Sequence, residues 1–193
     1  MDRLLHKDVY ERNMEAYSQA YPKAALKFKG RKYKSEGICV EPVQCLDESV
    51  SFSVTRPSEK TFMLSGVFEP RKVLDKKIKQ QGRIAPNTPI IVMGMSNMEQ
   101  VEKYLEAAQE DCLILVYEPS VEIFQRVMET IDISHIINDK PVMLVVEQLN
   151  SEDLKNGLLV MMKLDTVASL KISISPNYDH LFPKQVKDAL DYL

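Results

Sequence analysis

Two unbroken apolar stretches, Ile90–Met93 and residues 113–117, each lead through a short turn into an amphipathic run of helical length. Strands buried on both faces need continuous apolar sequence, and the helices that connect them need an apolar stripe at a 3.6-residue period. Residues 89–133 carry both signals in alternation, so they restrict the fold more than any other part of the chain. The pattern then continues. Residues 98–108 and Val121–Thr130 read as helices, Val142–Val146 as a strand, residues 153–162 as a helix and residues 171–175 as a strand. Such alternation calls for crossover connections and a mainly parallel sheet. It predicts that Val92 and Val116 lie side by side, with the carboxyl ends of their strands opening on one crevice.

The N-terminal part follows other rules. Residues 7–28 read as a helix with apolar positions at Val9, Met14, Tyr17 and Tyr21, interrupted late by Pro22. Its polar neighbours mark it as a surface or partner-contacting helix. Short candidate strands follow at 38–43, 50–54 and 61–65. In the second, Val50, Phe52 and Val54 alternate with serines, the period of a sheet with one wet face. Brief connections carrying Pro42, Asp47, Pro57 and Ser58 suit an antiparallel meander. Pro70 opens a helix to about Gln80, with Val73, Leu74 and Ile78 on its buried face and Gly82 at its end. Residues 135–138 read as a short strand or turn. Residues 182–193 read as an amphipathic helix, with Val186, Leu190 and Leu193 in register, that runs uncapped to the last residue and so leads into something larger. The fold class is α/β: a Rossmann-like, mainly parallel sheet with flanking helices, preceded by an N-terminal helix and a small antiparallel β-meander. Residues 1–83 hold the helix, meander and linking helix, and residues 84–193 the Rossmann-like domain.

Charge and cysteine content exclude several function classes. With 25 basic and 28 acidic residues in 193, the net charge is −3, which argues against a nucleic-acid footprint. The one basic run, residues 27–34, is better explained as a solvated helix end and strand start. No stretch approaches the ~20 apolar residues of a membrane span, and the charged start lacks the apolar core of a secretory leader. Three irregularly spaced cysteines, Cys39, Cys45 and Cys112, suit no disulfide framework and fit a reducing cytoplasm. Cys39 and Cys45 read as small buried residues. Met93, Met143 and Met161 read as core filling.

The turn after the first parallel strand is the natural ligand position, because strand ends and a helix N-terminus converge there. Its candidate binding residues are Gly94, Met95, Ser96, Asn97 and, at the tip of the next strand, Glu118, where such folds place the acid that accepts ribose hydroxyls. The loop has only one glycine where a pyrophosphate needs several close backbone approaches, and the whole chain has six. Two ligand-free explanations compete: Ser96 and Glu99 match a capping box, and Glu118 before Pro119 can cap the next helix. Gly94-Met95-Ser96 imitates a hydrolase nucleophile elbow, but Met98 replaces the second glycine, and Asp179 and His180 are adjacent, a poor basis for a relay. His6, His135 and His180 have no partners at metal-ligand spacing. No catalytic residue, metal ligand or cofactor is assigned on these grounds.

Residues 114–137, ILVYEPSVEIFQRVMETIDISHII, resemble one family, the motility accessory factor (Maf-type) glycosyltransferases of bacteria. That family carries a strand, Glu-Pro, a helix reading like Asp-x-x-x-Phe, and a turn like Asp132-Ile133-Ser134. Residues 89–105 are similar to its glycine turn. Ser65 with Phe68-Glu69-Pro70 is similar to a helix-opening segment, and Tyr10, Asn13, Met14 and Tyr21-Pro22 to its N-terminal helix. The resemblance implies the N-terminal, non-catalytic region of a longer protein that transfers nonulosonic acid sugars to flagellin. The family's Gly-Pro-Ser-Leu loop has no counterpart, since Ser175-Pro176-Asn177 does not match, so no catalytic residue carries over. The expected work is docking to a downstream catalytic domain, flagellin or a second subunit, with homo-oligomerisation open and neither nucleic acid nor membrane as partner. The alternative is a small-molecule transferase using nucleotide or adenosylmethionine at the degenerate turn.

Overall fold

The computed structural model describes residues 4–30, 37–57, 60–108, 112–162 and 169–192. Residues 31–34 of the basic run, Ser58 and the terminal Leu193 lie outside the described residues.

Helices α1 (Lys7–Ala20) and α2 (Pro22–Gly30) divide at Tyr21, because Pro22 cannot continue the first helix's ladder but suits the first turn of a second. Strands β1 (Cys39–Gln44), β2 (Val50–Thr55) and β3 (Phe62–Met63) form an antiparallel sheet in that order. The third strand is shorter than expected. Its ladder stops where the Ser65 N–H turns to the Ser51 hydroxyl at 3.2 Å instead of a carbonyl. That contact also buries Ser51, so the serine face of β2 is not wholly wet. Cys45 is buried as expected, but Cys39 is exposed, because Val40 takes the inward position at that end of β1.

Helix α3 (Pro70–Gln80) has Pro70 in its first turn, and Gly82 leaves it at φ +74°, the left-handed exit that favours glycine. Its inward stripe is Pro70, Leu74 and Ile78. Val73, expected on the buried face, is instead 69% exposed.

The remaining elements are β4 (Ile90–Met93), α4 (Glu99–Ala107), β5 (Ile114–Glu118), α5 (Val121–Thr130), α6 (Ser134–Asp139), β6 (Val142–Val146), α7 (Glu152–Met162), β7 (Lys171–Ile174), α8 (Tyr178–Leu181) and α9 (Pro183–Leu190). The four strands form one parallel sheet in the order β6-β5-β4-β7. Val92 is paired with Val116, as the sequence predicts. Side chains of β4, β5 and β6 alternate between the two faces of this sheet. Ile90, Val92, Ile114, Val116, Leu144 and Val146 pack with α4, α5 and the meander, while Ile91, Met93, Leu115, Tyr117 and Val145 pack with α7 and α9. Met93 and Met161 are fully buried and Met143 half-buried.

Three local readings need correction. Residues 135–138 belong to the helix α6, started where the Asp132 carboxylate accepts from both the N–H and the hydroxyl of Ser134. The terminal amphipathic run is two helices, α8 and α9, divided at Phe182. Finally, α1 is a core helix: Met14, Ala16 and Tyr17 are buried, and Asn13 is 0% exposed. The Asn13 amide donates to the carbonyls of Met128 (3.0 Å) and Ile131 (2.7 Å), and its oxygen accepts from the Ile133 N–H at 2.9 Å. One polar side chain thus satisfies the chain as it leaves α5, and the apolar core is continuous from α1 and the meander to the parallel sheet.

Candidate functional site

At the carboxyl end of β4 the chain passes through Gly94 at φ +92° and then through two buried left-handed residues, Ser96 (φ 48°) and Met98 (φ 63°). Helix α4 begins only at Glu99. The Ser96–Glu99 capping box does not form. The Ser96 hydroxyl donates to the Leu64 carbonyl at 3.0 Å, and the Glu99 carboxylate accepts from the Arg71 guanidinium at 2.8 Å. Burial of Met95 and Met98, each 1% exposed, draws the loop inward and delays the helix.

Glu118, at the end of β5, is fully buried. One carboxylate oxygen accepts from the Met95 N–H at 2.9 Å and the Tyr178 hydroxyl at 2.8 Å; the other accepts from the Ser120 N–H at 2.8 Å. The Tyr178 hydroxyl in turn accepts from the Ser96 N–H at 3.0 Å. Helix α5 itself is capped by Ser120, whose hydroxyl accepts from the Ile123 N–H, so Glu118 supports the cap without being it. The tyrosine ring lies flat against Gly94: a Cβ there would stand 2.5 Å from Cδ1, Cε1 and Cζ. Gly94, Ser96 and Glu118 therefore converge on a single side chain from α8, and Met95 joins them through its N–H on Glu118. Asn97 points elsewhere and donates to the Val50 carbonyl at 2.9 Å.

The electrostatics follow from this enclosure. Burial pushes the Glu118 carboxyl up to about 8, against the opposing pull of the Met95 N–H, the Tyr178 hydroxyl and the Ser120 N–H. Burial and the adjacent carboxyl hold the Tyr178 phenol well above its ordinary range. The Met95 and Ser96 amide groups of the turn already have an internal acid and its phenol as acceptors.

Tyr178 is held in place from several sides. Asn177, left-handed at φ 65°, donates to the Met63 carbonyl at 2.7 Å, and the Ser175 hydroxyl donates to the Gly94 carbonyl at 2.6 Å. Arg56 donates to the Leu181 carbonyl and lies 5.7 Å over the Phe182 ring, while Phe62 stacks on His180. Sequence reasoning missed this tyrosine. The available signal was Asn177 after Pro176, a pair that favours a turn just where β7 ends.

The strand order reverses between β4 and β7, the position at which open α/β sheets bind ligands. A separate cavity of about 240 Å³ lies there, outside Ser96, Asn97 and Pro176 and roofed by α3. Its walls are mainly apolar: Leu64, Pro70, Val73 and Leu74, with Phe68 and Lys77 at the lip.

The other sequence candidates do not assemble. The Ser96 hydroxyl faces Leu64, whereas Asp179 and His180 are exposed on α8. Among the described residues, no group of three or more His, Cys, Asp or Glu side chains is placed to hold a metal ion, and no helix is long and apolar enough to cross a membrane. Lys27, the described start of the basic run, is spent on the Leu149 carbonyl (2.8 Å) and on Glu152 (3.1 Å).

Fold and site together define a Rossmann-like α/β domain whose crevice at the carboxyl ends of β4 and β5 is occupied by its own tyrosine. No family model matches the chain, and no curated protein matches it.

Proposed function

We propose that this chain is a non-catalytic docking domain, of the kind its sequence resembles at the N-terminus of Maf-type glycosyltransferases, which modify flagellin with nonulosonic acid sugars. On this reading it works in the bacterial cytoplasm and positions a catalytic domain, the flagellin acceptor or a second subunit. One observation carries the reading: the Tyr178 ring covers Gly94 while its hydroxyl joins the Glu118 carboxylate to the Ser96 N–H. A nucleotide needs that same volume and those same donors, so support for docking comes from the crevice being closed to one. The alternative, a transferase using nucleotide or adenosylmethionine at residues 94–97 and Glu118, requires α8 to leave the crevice.

Thermal denaturation with nucleotides, nucleotide sugars and adenosylmethionine tests this. A ligand at a hundred times its Kd adds about 2.7 kcal/mol, or roughly 5–10 °C in Tm for a chain of this size. Docking predicts no shift with any of them. A shift of that size with one of them overturns the reading in favour of the transferase.

A further inference from the structure

The cavity at the strand-order reversal shares Ser96 with the Tyr178 cluster but lies outside it, on the side of α3. Several features show what it suits. Its volume, about 240 Å³, lies below the ~300–1,000 Å³ of sites for drug-sized molecules. It is nonetheless large enough to seat the apolar anchor of a partner chain, the feature that dominates protein interfaces. The apolar surface also continues past its mouth. Phe68 is 71% exposed, Val73 69%, and Leu46 76%, the last tied to the same loop by its N–H on the Val67 carbonyl. A small molecule in the cavity would leave all of that surface in water. A polypeptide laid across it would not.

Charge selects the partner. Helix α3 carries five basic residues, Arg71, Lys72, Lys76, Lys77 and Lys79, against a single acid, Asp75, in a chain that is acidic overall. The acids lining the cavity are already neutralised: Glu99 by Arg71 at 2.8 Å and Glu69 by Lys72 at 3.1 Å. Asp75 pairs with Lys103 at 3.3 Å. Among the described residues, Lys76, Lys77 and Lys79 have no acidic partner; Lys77 lines the cavity, whereas Lys76 and Lys79 line a separate depression on α3 with Lys72. We infer that this groove docks an acidic polypeptide segment of another protein, seating an aromatic or large aliphatic side chain between Leu64, Pro70 and Leu74. Its carboxylates would face Lys77, the unpaired lysine that lines the groove. The inference rests on the docking reading above and names the surface and the partner chemistry for it.

The test is selection from a random peptide library displayed on phage against the whole chain, with Val73→Glu and Lys77→Glu as counter-selected variants. Both positions are exposed, so neither change disturbs the core. The expected consensus is one aromatic or leucine anchor flanked by Asp and Glu. A synthetic peptide of that consensus should bind about tenfold or more weakly to either variant and lose affinity as salt rises. No enrichment that depends on Val73 and Lys77, or a basic or charge-free consensus, overturns the inference. So does concentration-dependent dimerisation in sedimentation that Val73→Glu abolishes, since the occupant is then a second copy. These outcomes are independent of the nucleotide screen, so a Tm shift there removes the docking reading while a failed selection removes only this groove.

Discussion

Replacing Tyr178 by Phe removes one oxygen from the centre of the filled crevice and leaves its ring against Gly94. Two buried groups lose their partner: the Ser96 N–H, and the Glu118 carboxyl, which keeps only the Met95 and Ser120 N–H groups. An orphaned buried donor costs about 1–3 kcal/mol and a hydrogen bond to a charged group is worth about 1.5–3. The two losses share one oxygen, so the variant should be less stable by about 2–4 kcal/mol. The effect should also depend on pH. With its carboxyl raised to about 8, Glu118 is protonated in the folded protein near pH 5.5 and ionised at about pH 8.5. The phenol bond lost is therefore neutral at the lower pH and charge-assisted at the higher. Destabilisation should be greater at high pH by roughly 1 kcal/mol. Urea denaturation of both proteins at the two pH values measures it. A loss under about 0.5 kcal/mol at both, or an equal or reversed pH effect, would refute the reasoning.

Three further outcomes follow from the same packing. Gly94→Ala should be strongly destabilising, but much less so in a Tyr178→Ala background, where only the left-handed strain remains; a double-mutant cycle should return a coupling of about 1–3 kcal/mol. For Glu118 the folded carboxyl titrates near 8 against an ordinary 4.5, so the folded state holds the extra proton between those values and stability falls as pH rises through that window. At about 1.4 kcal/mol per pH unit this is on the order of 5 kcal/mol, and Glu118→Gln should flatten it in denaturation curves taken across that range. Asn13→Ala should cost about 2–4 kcal/mol in equilibrium unfolding, because it strands two carbonyls and one N–H where α5 ends.

The parallel sheet was legible because burial on both faces leaves a strand no choice but an apolar run. Ile90–Met93, Val142–Val146 and Val121–Thr130 fall where the pattern puts them. The exceptions have definite causes. In α1 the polar content came partly from Asn13, and nothing in a single sequence tells a buried connector from a solvated side chain. Six-residue α6 is too short to show a helical period. Val73 sits beside the inward stripe of α3, lines the cavity and is left largely exposed. Of the five site residues expected, Gly94, Ser96 and Glu118 meet Tyr178 and Met95 meets Glu118, but the tyrosine's position is set by β7 returning beside β4, a pairing far apart in sequence. Tyr178 lies in a polar stretch with no periodicity, so its place in the crevice could not be read before the topology was known.

That partner also accounts for the glycine content of the turn. A bound pyrophosphate demands close backbone approach at several successive residues, hence several glycines. A tyrosine ring demands it at one, and Gly94 is that one. Met95 and Met98 can then carry side chains, because they point into the core rather than toward a ligand. The acid obeys the same logic. A carboxylate that meets a ribose must reach the surface of the crevice, whereas Glu118 is sealed; it is tolerable there because three donors converge on it and because burial raises its pKa to about 8. The single glycine and the buried acid, which look like two separate departures from a nucleotide site, are both requirements of one phenol standing where the ligand would be.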